Sequence, residues 1–372
     1  MKDKTDLDFT RLQIIDDHCH LFNIEYAPHE LARTLSMSLN DMPDEQLRHT
    51  LVYRRMLREL RILLDIKGAD QEILAAREIR MRDNYKVYVE ALFNNACIHT
   101  VLVDLGYKPV EVSLEKFEEL VPARVRYIYR IESALDPLWD AFRDKKVGLK
   151  HVEDQFQKAL EDALENLKIV AIKSVIGYRT GLHIEPVDRK RLSKNIASEK
   201  EFRDYFLLQS IEKATGMGLP VQIHAAFGES NINVLHNNPA LLKGLLDHPE
   251  YQRARIVLVH GGYPYCFEAG YLGSIYPNVY VDLSEMIPFA PMGLHQGLRA
   301  IFDMCPFNKI LYGSDGFVIP EIHWLGAKSA KEALSSLFSD YMTEGLFDRD
   351  LAVSVAKMVF FETAQKLYGL EN

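Results

Sequence analysis

Cysteine is scarce in this chain. Cys19, Cys97, Cys266 and Cys305 are its only four in 372 residues, and no two form a CxxC pair. That spacing excludes a zinc ribbon and argues against a disulfide framework. A core of this size needs no such staples. An excess of basic charge is also missing. The formal net charge is −9, which argues against a nucleic acid or an anionic membrane as partner. Arg54, Arg55, Arg58 and Arg61 form one local basic cluster, but Met56, Leu57, Leu60 and Leu64 interleave with them. That pattern reads as the solvated face of a helix. No apolar run approaches the length of a membrane span. The segment Met1 to Arg11 is charged and has no apolar stretch of the kind a signal peptide needs. No GxGxxG follows the first apolar strand, and there is no internal repeat or low-complexity tract. These absences lead to the expectation of a cytoplasmic enzyme acting on a small molecule.

What is present is ordinary in amount, with 48% apolar and 26% charged residues, and informative in order. Eight short β-rich runs recur along the chain: Leu12 to His18, Ile98 to Leu105, Val125 to Ile131, Ile169 to Ile176, Pro220 to Ala225, Arg255 to His260, Val279 to Leu283 and Lys309 to Ser314. Several are continuously apolar, such as Ile169-Val-Ala-Ile and Ile256-Val-Leu-Val. Strands covered on both faces of a parallel sheet have this composition. Eight of them separated by helical stretches predict an α/β fold, a (β/α)8 TIM barrel, as one domain over residues 1–372. Residues 23–97 are too long and too apolar for a loop. Their periodicity predicts a helical insertion between the first and second strands, either a lid over the barrel mouth or a packing element without substrate contact.

Chemistry-bearing residues sit at the ends of these runs. Asp16-Asp17-His18-Cys19-His20 closes the first. Side chains at i and i+2 of a strand share a face, so His18 and His20 point one way and Cys19 the other. The fifth run ends in His224, the sixth in His260 and the eighth in Asp315. The C-terminal ends of barrel strands form the active-site face. Four strand ends bringing four imidazoles and a carboxylate together predict a divalent metal. Zinc is the first expectation, as one or two ions, and manganese or iron are the alternatives.

This pattern of HxH on strand one, His on strands five and six and Asp on strand eight resembles the amidohydrolase superfamily. The phrases Ala171-Ile-Lys-Ser-Val-Ile-Gly-Tyr-Arg-Thr-Gly-Leu182 and Pro264-Tyr-Cys-Phe-Glu-Ala-Gly-Tyr-Leu272 are similar to its amidohydrolase-2 branch, including barrels fused to glutamine-synthetase-like proteins. The resemblance spans about Leu12 to Ile322 and does not clearly cover the helical insertion. It implies that His18, His20 and Asp315 bind the more buried metal. His224 completes that set or binds a second ion. His260 binds the second ion, or polarises the substrate carbonyl in a one-metal site. Asp315 also takes the proton from the attacking water, so the catalytic pair is Asp315 and His260. Lys173, at the end of the fourth strand, is a carboxylated metal bridge, an ammonium for a substrate carboxylate, or a strand-end ion pair. Arg179, next to Tyr178, suits bidentate capture of a carboxylate, and the pair is the substrate-binding expectation. Glu268, Asp282 and Glu285 are candidates for orienting the ligand histidines, and His323 and Trp324 for lining the pocket.

The implied activity is hydrolysis of an amide or related C–N bond in a small polar, carboxylate-bearing substrate. Alternatives are a metal-dependent non-oxidative decarboxylase and a uronate-isomerase-like enzyme. A non-catalytic barrel would ordinarily have lost a ligand, and all five are present here. A homo-oligomer is compatible with this reading.

Overall fold

The computed structural model describes residues 7–28, 30–107, 112–194 and 198–370. Residues 1–6 of the charged N-terminal segment and position 29 of the long first connection lie outside them. Eight parallel strands run in the order of the sequence: β1 (Ile14–Cys19), β2 (Ile98–Asp104), β3 (Arg124–Arg130), β4 (Ile169–Ser174), β5 (Val221–His224), β6 (Ile256–Val259), β7 (Val279–Asp282) and β8 (Ile310–Leu311). The last strand returns to the first through backbone hydrogen bonds. Asp17 N–H donates to the Tyr312 carbonyl at 3.0 Å, Asp315 N–H to His18 at 2.9 Å and His20 N–H to Gly316 at 2.7 Å. The sheet therefore curls into a (β/α)8 barrel. Edge strands left open would expose unpaired backbone groups, and closure removes them.

The barrel interior has two storeys. The lower is apolar, built from Ile15, Leu102, Ile128, Ala171, Val257 and Leu311, and is plugged from below by Ala364, Leu367, Tyr368 and Leu370 of the C-terminal segment. The upper storey is polar. Strand register sets Arg130 beside Lys173 and Lys173 beside Gln222, one layer below the strand ends.

Between β1 and β2 the described chain forms five helices, Leu31–Thr34, Asp44–Arg48, Leu51–Leu63, Asp70–Asp83 and Tyr85–Ala96. Leu51–Leu63 starts at Thr50, whose hydroxyl caps the Tyr53 N–H, and buries Val52, Met56, Leu57 and Leu60 at helical spacing. Its arginines face acids. Arg54 and Arg61 reach Asp70 at 2.5 and 3.2 Å, and Arg55 and Arg58 reach Glu332 at 2.5 and 3.1 Å. The basic cluster is thus neutralised along a helix surface. All four cysteines are free. Among the described residues no helix is long and apolar enough to cross a membrane.

One buried ion pair anchors this helical connection to the barrel's last outer helix, Pro320–Thr343. Arg77 Nε meets Glu321 Oε1 at 2.5 Å, and the Tyr88 hydroxyl donates to the same oxygen at 2.9 Å. Removing one partner strands a charge in the interior, a loss of about 3–5 kcal/mol. Arg77→Ala is expected to lower the urea midpoint of unfolding by that measure. Joint replacement, Arg77→Met with Glu321→Leu, is expected to recover most of it. Equal loss in the single and double variants would contradict this account.

Candidate metal centre

All the strand-end residues converge on one cavity of about 290 Å³, bordered by His18, His20, Lys173, His224, His260, Glu285 and Asp315 among others. Each imidazole is held by a different partner, and those partners fix its tautomer. Gln222 is the clearest case. Its amide nitrogen donates to the Asp17 carbonyl at 2.8 Å and to the Tyr368 hydroxyl at 2.9 Å, which turns Oε1 towards His18 Nδ1 at 2.8 Å. His18 Nδ1 therefore carries the proton and its Nε2 presents a lone pair. His20 Nδ1 faces the Asp104 carbonyl at 3.3 Å, leaving Nε2 to the cavity. His224 Nε2 donates to the Phe227 carbonyl at 2.9 Å, so Nδ1 is its free nitrogen. The Ser284 hydroxyl donates to Asp282, so its oxygen accepts from His260 Nδ1 at 2.9 Å and His260 Nε2 is bare.

The bare nitrogens then meet carboxylate oxygen. Asp315 Oδ1 is 3.1 Å from His20 Nε2 and 3.4 Å from His18 Nε2. Burial keeps His18, His224 and His260 below the usual imidazole range, and the neighbouring Lys173 (for His18 and His224) or His224 (for His260) lowers them further. Burial alone would raise Asp315, but His260, His18 and His20 outweigh it and hold the carboxyl well below the ordinary range. Neutral imidazole lone pairs facing a carboxylate repel unless a cation lies between them, so the donor set fits a divalent ion. Three groups of three among the described residues have donor atoms within 4.8 Å of one another; His18/His20/Asp315 and His224/His260/Glu285 border the cavity, and Asp16/Cys19/His323 does not.

Backbone strain supports the same geometry. His260, Glu285 and Asp315 have φ of 78°, 57° and 52°, a region costly for residues other than glycine and concentrated at functional sites. Lys173 is fully buried with Nζ 3.3 Å from His18 Nε2, and burial lowers its pKa to about 8.

The substrate-side residues lie at the rim. Tyr178 lays its ring 4.7 Å from that of His224 and gives its hydroxyl proton to Glu229. Arg179 borders the cavity and offers its Nε and Nη2 edge to Asp136, Nη2 at 2.8 Å. Arg130 also borders the cavity and is gripped by Asp104 through Nε at 2.9 Å and Nη2 at 2.6 Å. Among the described residues of the first connection, Ser36, Met37 and Leu39 border the cavity, and Ser230 ties that segment down: its N–H donates to Met37 at 3.3 Å and its hydroxyl accepts from Leu39 N–H at 3.1 Å.

Some expectations fail. His323 and Trp324 do not line the cavity. They lie on the inner face of helix Pro320–Thr343, where His323 packs between Phe22 and Phe93 and Trp324 Nε1 donates to Asn95 at 2.8 Å. A Cβ on Gly316 would lie 2.4 Å from the His323 ring, so that glycine leaves the space His323 occupies behind Asp315. Glu268 orients no histidine and instead accepts from Asn238 at 3.4 Å. Gln222, Asp104, Arg130 and Glu229 were missed. Gln222 and Asp104 are polar residues within apolar strands, a visible signal, whereas Arg130 ends a strand already rich in arginine and Glu229 lies five residues beyond its strand.

The pattern of residues 151–370 matches the model of the amidohydrolase family. The chain belongs to the amidohydrolase family. Among solved structures, this amidohydrolase is similar to a Lactobacillus casei ATCC 334 protein described as a metal-dependent hydrolase, with 25% identity, 97% of this chain and 96% of that chain covered, and a TM-score of 0.85. A uronate isomerase of Thermotoga maritima shares the fold, with 14% identity, 96% and 95% covered and a TM-score of 0.69. Among curated proteins it is similar to protein fluG of Emericella nidulans, 27% identical over 417 residues. The alignment covers 96% of this chain and 46% of fluG, so the chain spans about half the length of that relative.

Because Gln222 dictates which nitrogen of His18 is bare, Gln222→Leu is expected to weaken metal binding about 10- to 100-fold, read by competition against a chelating dye. Unchanged affinity would show that Gln222 does not set the tautomer.

Proposed function

We propose that this amidohydrolase is a metal-dependent hydrolase cleaving an amide or related C–N bond in a small polar, carboxylate-bearing substrate. The observation that carries this reading is the set of bare imidazole nitrogens turned on Asp315. A divalent ion bound there, zinc first, supplies Lewis acidity and makes hydroxide available near neutral pH by lowering the pKa of water from about 15.7 towards 7.

The protein's own groups do the rest. Asp315, held as a carboxylate, accepts the proton of the attacking water and delivers it to the leaving nitrogen. His18 and His20 flank Asp315 Oδ1, their Nε2 atoms 3.4 and 3.1 Å away. The tautomer of His260 presents a lone pair rather than an N–H, which supports a ligand role over direct polarisation of a carbonyl. Lys173 stands beside His18, where a carboxylated side chain would join the two donor groups and a free amine would hold charge against the carboxylates. Arg179 keeps its Nη1 edge uncommitted to Asp136, and with Tyr178 it frames the place for the substrate carboxylate. The cavity volume of about 290 Å³ suits a small-molecule substrate.

Elemental analysis of protein purified without chelator is expected to give one to two equivalents of zinc, manganese or iron. Chelation should abolish turnover of small N-acyl amino acids and γ-glutamyl amides, and re-addition of zinc should restore it. Asp315→Asn is expected to lower kcat/KM roughly 100- to 10,000-fold. Arg179→Met should raise KM on the order of tenfold with kcat little changed. Product formed in ¹⁸O-labelled water should carry the label in its new carboxylate. Turnover without label incorporation would replace hydrolysis with isomerisation or decarboxylation. Protein that neither holds nor takes up metal would end the reading.

A further inference from the structure

Two acids of the cavity, Glu229 and Glu285, have no cation of their own. We propose that they form a subsite for a primary ammonium group, so that the substrate is an amide of an amino acid whose own amine is free. This rests on the hydrolase reading above and narrows its substrate class.

Glu229 lies five residues beyond β5, partly buried at the cavity rim. Tyr178 holds it in place. The Tyr178 hydroxyl donates to Glu229 Oε2 and accepts from the Glu229 N–H at 3.3 Å. A Cβ on Gly228 would collide with that hydroxyl, so the glycine is what lets the phenol come this close. The Tyr178 ring is itself set against His224, 4.7 Å between centroids. One Glu229 oxygen is thus committed, and the other, Oε1, receives no hydrogen bond from the described residues. Glu285 borders the same cavity, three residues beyond β7, and is 4% exposed. Its Oε2 has no hydrogen-bond partner. The nearest ring nitrogen, His260 Nδ1 at 3.6 Å, is already given to Ser284. Among the described residues no lysine or arginine lies within ion-pair distance of either acid, and Arg179 pairs with Asp136 instead. The charges that act most strongly on Glu285 are Asp315 and Glu229, both negative, ahead of Lys173. A buried carboxylate oxygen without donor or cation is unfavourable.

A primary ammonium answers this shortage. It brings one positive charge and three N–H donors, enough for Glu229 Oε1 and Glu285 Oε2 together. Arg179 follows Tyr178 in the chain, and Tyr178 carries Glu229 on its hydroxyl. The group for a carboxylate and the group for an ammonium are therefore linked through one residue. An amino acid, with carboxylate and ammonium on a single carbon, presents its two charges in the same adjacency. A second carboxylate in the ammonium position would be repelled by both acids. The two substrate types considered above are separated by this subsite. A γ-glutamyl amide keeps its α-ammonium, whereas in an N-acyl amino acid that nitrogen is part of the amide.

The test uses probes that differ only at the amine. Metal-loaded full-length protein is assayed with γ-amides of L-glutamate and β-amides of L-aspartate, and with the monoamides of glutarate and succinate, which lack the amine. Binding of L-glutamate, L-aspartate, glutarate and succinate is measured in parallel by isothermal titration calorimetry, so that recognition is read without turnover. Wild type is expected to favour the amine-bearing member of at least one pair about 10- to 100-fold, in kcat/KM and in affinity. Glu229→Gln is expected to erase most of that preference. Tyr178→Phe, which releases Glu229 without removing its charge, should reduce it in part. Glu285→Gln should reduce it while keeping the metal content of wild type by elemental analysis. A fall in metal content would make Glu285 a metal ligand and overturn its place in the subsite. Equal turnover and equal binding with and without the amine would overturn the proposal and leave hydrolysis of other carboxylate-bearing amides standing. So would a preference that survives in Glu229→Gln. Amine-selective binding that Glu229→Gln removes, with no amide hydrolysed, would uphold the subsite and count against the hydrolase reading. Neither binding nor turnover of any probe would remove the subsite.

Discussion

Everything at the mouth of this barrel depends on one electrostatic constraint: four imidazoles and two carboxylates are buried around a small cavity, and their bare lone pairs face one another. An interior that takes polar groups out of water must return hydrogen bonds or a cation to them. The outer nitrogen of each imidazole receives its partner from the protein. The inner nitrogens of His18 and His20 are left facing Asp315, with Lys173 Nζ also 3.3 Å from His18, and Glu285 Oε2 has no hydrogen-bond partner. The fold has therefore placed an unfavourable arrangement where a positive charge makes it favourable. Strained φ at His260, Glu285 and Asp315 adds to that cost, and the rigid apolar storey beneath carries it.

That lower storey is connected to the chemistry. Tyr368 rises from the C-terminal plug, donates to Asp17 at 2.9 Å and accepts from Gln222. Gln222 in turn fixes the tautomer of His18. A residue near the end of the chain thus reaches a candidate ligand near its beginning through two hydrogen bonds. The packing that closes the barrel floor and the orientation of the first imidazole are parts of one structure, and loss of the plug would be felt at the metal centre.

The barrel and most of this site were legible in the sequence because both rest on short periodicities. Continuous apolar runs exposed the strands, and the i, i+2 rule put His18 and His20 on one side. His224, His260 and Asp315 stood out because each ends an apolar run. The eighth run, however, is regular strand only over Ile310–Leu311, since the chain turns aside early to carry Asp315 at positive φ. Gln222 was equally legible by the same rule, two residues before His224 and on its side of the strand. It escaped because an amide within a strand reads as a filler until its partners are seen. Glu285 was harder. It follows a strand by three residues, and only the backbone turn there brings it into the cavity. His323 and Trp324 misled because proximity to Asp315 in sequence was read as proximity to the pocket. Helix Pro320–Thr343 turns them instead against Phe22, Phe93 and Asn95.

The rim adds a constraint on what can enter. Its two arginines do not offer bare positive charge, since Arg130 is gripped by Asp104 and Arg179 by Asp136. Such pairs hold a guanidinium in one orientation while removing most of its long-range attraction. A substrate carboxylate would therefore gain from the geometry of an oriented donor edge more than from net charge, which favours selection by shape and position. Glu229, bound by the Tyr178 hydroxyl, adds an acidic group to the rim, and Met37, Leu39, Phe289 and Phe317 add apolar surface. A compact molecule with an acid at one end and a polar, hydrogen-bonding group at the other matches this asymmetry better than a long or uniformly anionic one. The ties between Ser230 and the segment Met37–Leu39 hold the first connection against the loop that carries Glu229 and Asn231, all of them beside the cavity.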